Sequence, residues 1–209
     1  KNVEELSILS KVTLPKKGNK PNFDDAHVLL ALDIVEKEQP IGRHLLMKKL
    51  SLTEASTRTM IKRLKELGLI NIDKVAGIFI TENGRKLLHN VHNRVRIIED
   101  VNLSIIGWKG QAIIVRNGKA ILDKIGLLNL RDLIIKQGAD QTIIAIVNEE
   151  GKIELPPKTF GESEEIKKLK DEIKEKLGEE NNINDLIIIF EPKDLHLAYK
   201  IVLVILSSE

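Results

Sequence analysis

Residues 52–70, Leu-Thr-Glu-Ala-Ser-Thr-Arg-Thr-Met-Ile-Lys-Arg-Leu-Lys-Glu-Leu-Gly-Leu-Ile, decide the fold of the first half of this 209-residue chain. Thr53 is an N-cap residue, its hydroxyl suited to accept from the first free amides of a helix beginning at Glu54. Gly68 stands where a helix that ends near Leu67 needs a left-handed residue. Taking about 100° per residue and setting Ile61 at zero, Thr57, Leu64 and Gly68 fall within about 60° of it, with Met60 and Leu67 at the edge. That side is core. The opposite side presents Ala55, Thr59, Lys62 and Glu66, flanked by Ser56, Arg58 and Arg63, a small, hydroxyl-bearing and basic surface.

Working outward, a helix is expected from Asp24 to about Glu38, stopped by Pro40, and another from about Gly42 to Leu50. After Gly68 come two β-prone runs, Leu69 to Lys74 and Ile78 to Thr81, joined across Val75-Ala76-Gly77 as a hairpin, and then a helix from Glu82 to about Asp100. Three helices and a hairpin in this order predict a winged helix-turn-helix over 23–100, whose second motif helix enters the major groove. Residues 1–22, punctuated by Pro15, Gly18 and Pro21 and holding Lys11, Lys16, Lys17 and Lys20, read as an N-terminal arm. The candidate DNA-binding residues are Thr53, Ala55, Ser56, Arg58, Thr59, Lys62, Arg63 and Lys74. Small Ala55, Ser56 and Thr59 let the helix approach base edges, and Arg58 can make a bidentate contact to guanine. Lys62, Arg63 and Lys74 can neutralise phosphates. The hairpin tip is short and offers only Lys74, and Glu66 on the outer face opposes phosphate.

The 52–70 segment resembles the recognition helix and the strand leading into the wing of winged-helix bacterial and archaeal regulators. Thr81-Glu82-Asn83-Gly84-Arg85-Lys86-Leu87-Leu88 is similar to the segment that follows the wing in many of them. The resemblance covers about residues 24–98. Within that superfamily the whole chain looks most like an archaeal group of winged-helix transcription regulator-like proteins with a carboxy-terminal domain of unknown function, which implies regulation without naming a ligand.

Behind Asp100 the pattern changes. Strands are expected at Ala112–Arg116, Thr142–Val147, Lys152–Leu155 and Leu186–Phe190, and helices over about Leu127–Gln137, from an N-cap at Ser163 to Gly178, and over Asp194–Leu206. The order βαββαβ with an added helix predicts an α+β chain of two domains, 101–209 being a ferredoxin-like regulatory and dimerisation domain with one antiparallel sheet and helices on one face.

Composition bounds the function. Up to Asp100 there are 18 Lys/Arg against 13 Asp/Glu, a balance of +5; after it 15 against 18, a balance of −3. A basic front half beside a mildly acidic rear fits a nucleic-acid module joined to something else. Cysteine is absent, which excludes disulfides, thiolate metal sites and Cys nucleophiles. With no charged-then-apolar leader read at the start and no apolar run approaching the roughly 20 residues of a membrane span, a cytoplasmic protein is expected. Richness in Lys, Glu and Ile resembles the composition of proteins from heat-loving organisms.

No catalytic set emerges and no cofactor is called for. His89 and His92 lie three apart on one helix without a third ligand nearby, so no metal is assigned. Asp123, Asp132 and Asp140 lack a nucleophile at recognisable spacing, and Gly107-Trp108-Lys109-Gly110 lacks the helix and Lys-Ser/Thr of a phosphate loop. Leu88, Val91, Val95 and Ile98 have the 3-4-3 spacing of a coiled-coil seam and are the dimer candidates, with packing on their own domain as the alternative. The reading is a homodimeric, sequence-specific regulator of transcription that binds double-stranded DNA, is not an enzyme, and responds to a small-molecule effector. The alternatives are a winged helix used for protein or RNA contact, or an enzyme domain with an appended winged helix.

Overall fold

The computed structural model describes residues 2–15, 21–157 and 161–209, residues 2–5 as backbone. It divides into two compact units, Lys1–Asn93 and Arg94–Glu209. The first runs α1 (Asn2–Thr13), α2 (Asp25–Glu38), α3 (Arg43–Leu50), α4 (Glu54–Glu66), β1 (Ile70–Asp73), β2 (Gly77–Ile80) and α5 (Glu82–His92). Helix α2 is its centre, buried from Ala26 to Val35 apart from His27 and touching α1, α3, α5 and β2. Its start is closed by a reciprocal cap: the Asp24 carboxylate accepts from the His27 amide at 2.9 Å, and His27 Nδ1 accepts from the Asp24 amide at 3.1 Å.

The arm expected over 1–22 contains a helix instead. Leu9 and Val12, three apart and therefore on one face, are buried in the unit, and α1 packs on α2, α4 and α5. The Pro and Gly punctuation obscured this short apolar stripe; Lys16, Lys17 and Lys20 lie outside the described residues.

The hairpin β1–β2 pairs Ile70 with Ile80 and Asp73 with Gly77, and Ile41 adds a third rung through two backbone bonds to Ile78. Gly77, at φ +118°, is required there, since a Cβ would sit 2.7 Å from the Ile41 carbonyl oxygen.

The second unit runs β3 (Val95–Leu103), β4 (Trp108–Val115), α6 (Lys119–Ile125), α7 (Leu127–Lys136), β5 (Gln141–Val147), β6 (Ile153–Glu154), α8 (Glu164–Leu177), β7 (Leu186–Glu191) and α9 (Leu195–Leu206). The helix expected from Glu82 to Asp100 stops at His92, and Val95–Leu103 is a strand. Its β-branched residues Val95, Ile97, Ile98 and Val101 find in β4 a partner longer than the sequence indicated. The proposed seam therefore does not exist. Leu88 and Val91 are buried in the first unit, while Val95 and Ile98 belong to a strand of the second.

The sheet order is β3-β4-β7-β5-β6, antiparallel throughout. This departs from the ferredoxin-like order, in which the first and third strands of the βαββαβ unit lie side by side at the centre. Here β3 fills one edge of β4 through a hairpin, so β4 has a single free edge, and β7 takes it. Helices also cover both faces rather than one. Ile173 and Leu177 of α8 pack with Val101, Ala112, Ala145 and Ile187, while α7 lies against β5 and α9 against β3 and β4. Residues 186–190 are accordingly buried without alternation. Among the described residues no helix is long and apolar enough to cross a membrane.

Candidate nucleic-acid interface

Helix α4 is held on three sides. Thr57, Met60, Ile61 and Leu64 are buried against the unit, with α3, β1 and α1 as neighbours. Its first turn is fixed by Thr53, whose hydroxyl accepts from the Ser56 amide at 3.1 Å and donates to the Ser56 hydroxyl at 2.9 Å. Ala55, Arg58, Lys62 and Glu66 are exposed and Thr59 is half-buried, so the expected outer face is the accessible one. A rigid helix with small residues near its start and cations along its length can lie against a phosphate-lined groove while its N-terminal residues reach base edges.

The structure places the eight candidates unequally. Thr53, Ala55, Arg58 and Lys62 are exposed on α4 or its cap, and Lys74 is exposed at the hairpin tip. Thr59 donates to the Ala55 carbonyl at 3.1 Å, so its hydroxyl hydrogen is engaged within the helix. Ser56 is buried and completes the cap, so it is not a base contact as oriented. Arg63 is the clear correction. It is 6% exposed and donates from Nη1 to the carbonyls of Val12 and Leu14, both at 2.6 Å. Its guanidinium thus caps the negative C-terminal end of α1 and cannot also neutralise a phosphate. A helical projection places Arg63 at the flank of the outer face; only the docking of α1, fifty residues earlier, draws it inward.

One cation beside this face was not anticipated. Arg43, at the start of α3, has a nitrogen 3.5 Å from Glu54 Oε1, to which Arg58 donates at 2.9 Å. Two guanidiniums therefore share one carboxylate at the N-terminal end of α4. Arg43 and Glu54 are eleven residues apart in different helices, and no periodicity links them. At the hairpin tip the Asp73 carboxylate accepts from the Val75 and Ala76 amides, at 2.8 Å each. The Ala76 bond, followed by that of Val75, holds this carboxyl below the usual range and keeps it ionised. Lys74 thus stands beside a fixed negative charge, which offsets its attraction for a phosphate.

Residues 29–95, which span all but the start of α2 through to α5, match the CggR N-terminal DNA-binding domain. Residues 106–208 match a domain of unknown function, DUF4443. The chain is therefore DNA-binding regulator-like, with a carboxy-terminal domain whose role no family description states. A hypothetical protein from Pyrococcus horikoshii OT3 shares the fold at a TM-score of 0.64 and 24% identity, over 88% of this chain and 91% of that one. No curated protein matches the chain.

The second unit holds an open, charged cleft of about 500 Å³ between β6 and α8. Lys152, Lys167, Lys170 and Lys174 line it together with four carboxylates, and Lys170 is already paired with Glu162. Only Ile153 and Leu155 are apolar there. His89, on the first unit, lies 3.1 Å from the Glu36 carboxylate, an ion-pair geometry once the ring is protonated.

Proposed function

We propose that the chain is a sequence-specific transcription regulator that binds duplex DNA as a homodimer through a winged helix-turn-helix, with α4 as the recognition helix and β1–β2 as the wing. The observation that carries this reading is the outer face of α4. It is accessible along its length, small at Ala55 and Thr59 and cationic at Arg58 and Lys62, while Thr53 and the buried side fix its position. In this reading Arg58 reads a base, with Arg43 beside it on the backbone, and Lys62 meets a phosphate. One such unit covers too little sequence for genomic specificity, so two copies bind half-sites about one helical turn apart.

The second unit is read as regulatory rather than catalytic. Its charged cleft supports a polar, ionic effector, because four lysines and four carboxylates offer partners to both signs of charge. Binding there changes DNA affinity only as far as the ligand prefers one arrangement of the dimer.

Selection of bound fragments from random duplex DNA tests the main reading, followed by titration of the recovered site at several salt concentrations. A recovered two-fold site, with log K falling linearly in log salt, is the expected result. Recovery of no sequence, or equal binding to single-stranded RNA, refutes it. For the cleft, a thermal-shift screen of amino acids, nucleotides and organic acids is followed by DNA titration with any hit. A ligand that raises Tm and leaves DNA affinity unchanged disproves the coupling.

A further inference from the structure

We propose that α7 is the two-fold interface through which two copies of this chain pair, with Leu128, Arg131, Asp132 and Ile135 as its contact set. The inference rests on the homodimer in the reading above and gives it a location. The seam on 88–98 is gone, and the sheet offers little as an alternative. One edge strand, β6, has two residues, and the other, β3, is broken by a register shift between Ile98 and Val101 that carries Glu99 and Asp100. Short, bulged and charged edges resist pairing with another sheet.

Helix α7 has a buried side and an unpartnered apolar line opposite to it. Leu130 and Ile134 are fully buried. Leu128 is 71% exposed and Ile135 40%. Seven residues apart, these two lie on nearly the same line along the helix, two turns from each other. Arg131 and Asp132, both exposed, sit midway between them, about 50° to either side of that line. Neither forms an ion pair among the described residues. The face is thus an apolar stripe with one cation on its left flank and one anion on its right, at the same height.

That arrangement is complementary to itself in one orientation. When two copies lie side by side and parallel, related by a two-fold running along the helices, Leu128 and Ile135 each meet their own counterparts. The two-fold also exchanges left and right flanks, so Arg131 falls beside the partner's Asp132, and Asp132 beside the partner's Arg131. An antiparallel pairing would instead set Arg131 against the partner's Arg131 and Asp132 against the partner's Asp132. The charges therefore select the parallel mode. A ten-residue helix is about 15 Å long. This is short of what the roughly 800 Å² per partner of a standard stable interface requires. The dimer is accordingly weak alone, on the order of 10 µM, and is completed when adjacent DNA half-sites raise the effective concentration of the second copy.

Sedimentation velocity on the full chain between about 1 and 300 µM, with circular dichroism to verify folding, tests this. Arg131→Asp is expected to weaken self-association about tenfold, and Leu128→Glu at least about thirtyfold. The exchange Arg131→Asp with Asp132→Arg is expected to return it to within about threefold of the unaltered chain. This restoration is what a cross-interface pair requires and what a loss of fold at Arg131 would not show. If the unaltered chain dimerises while Leu128→Glu dimerises equally well, or the exchange is no better than Arg131→Asp alone, the α7 interface is refuted and the homodimer stands. If the unaltered chain remains monomeric at 300 µM and binds a two-fold DNA site as a single copy, the homodimer reading fails and the interface with it.

Discussion

Replacing Arg63 by Ala separates a structural cation from one proposed to contact DNA on the same helix. Arg63 donates two bonds of 2.6 Å to the carbonyls of Val12 and Leu14 and is 6% exposed. A hydrogen bond to a charged group contributes about 1.5–3 kcal/mol, and a buried acceptor left without a donor adds a desolvation cost. The two bonds share one nitrogen and α1 can loosen to let water reach its carbonyls, so the loss is smaller than twice that figure, about 2–4 kcal/mol. Because Leu9 and Val12 dock beside this latch, the loss should appear first as opening of α1. Urea unfolding gives the total, and amide hydrogen exchange should show α1 losing protection before α2. In DNA titrations the salt slope should be unchanged within about 0.3, whereas Lys62→Ala, which removes the exposed cation proposed to meet a phosphate, should lower it by about 0.9. An Arg63→Ala protein with unchanged stability and a slope reduced by about one unit would overturn the assignment of Arg63 to the fold.

Three further outcomes follow from the same geometry. Thr53→Ala removes the hydroxyl that caps α4 and should cost about 1 kcal/mol in urea unfolding, with DNA affinity falling alongside because the first turn frays; Thr53→Ser should restore both. Gly84→Ala places a Cβ 2.2 Å from the Leu69 carbonyl oxygen, a backbone atom that cannot turn aside, and should destabilise the first unit by about 3 kcal/mol or more; a change below 1 kcal/mol in thermal unfolding would show that the start of α5 can shift. His92 is held below the ordinary imidazole range, first by burial and then by Lys37 and His89, against the opposing pull of Asp33 and Glu36. A lowered folded pKa means that the unfolded chain binds the proton more readily. Stability should therefore be full above about pH 6.5 and decline as pH falls below it, and His92→Gln should flatten that part of the curve; parallel curves for the two proteins would exclude His92 as the cause.

How much was legible depended on how local the deciding interaction is. The bounds of α3, α4 and the β1–β2 hairpin follow from caps, periodicity and turn residues within a few positions, and those signals sit in the chain itself. The same holds for α8, with Ser163 accepting from the Ile166 amide and Gly178 closing the helix. Residues 95–103 were not legible, because Val-Arg-Ile-Ile-Glu-Asp-Val-Asn-Leu serves a helix or a strand until β4 is there to pair with it. The Lys119–Ile125 helix was missed for a related reason. Its seven residues are too few for a periodic stripe, and only Ile121 and Leu122 are buried.

The sequence by itself determined that the first unit has a helix with one apolar and one small, basic side between a cap and a hairpin, because side-chain direction along a helix is fixed by its 3.6-residue turn. The tertiary structure alone decided which of those basic side chains remains at the surface. Arg58 and Lys62 stay outside, whereas Arg63, five residues on from Arg58, turns inward because the carbonyl end of a distant helix needs its donors. It also decided the strand order. Hydrogen bonding between strands is satisfied by whichever edge is open, and that is known only once β3 has closed one side of β4.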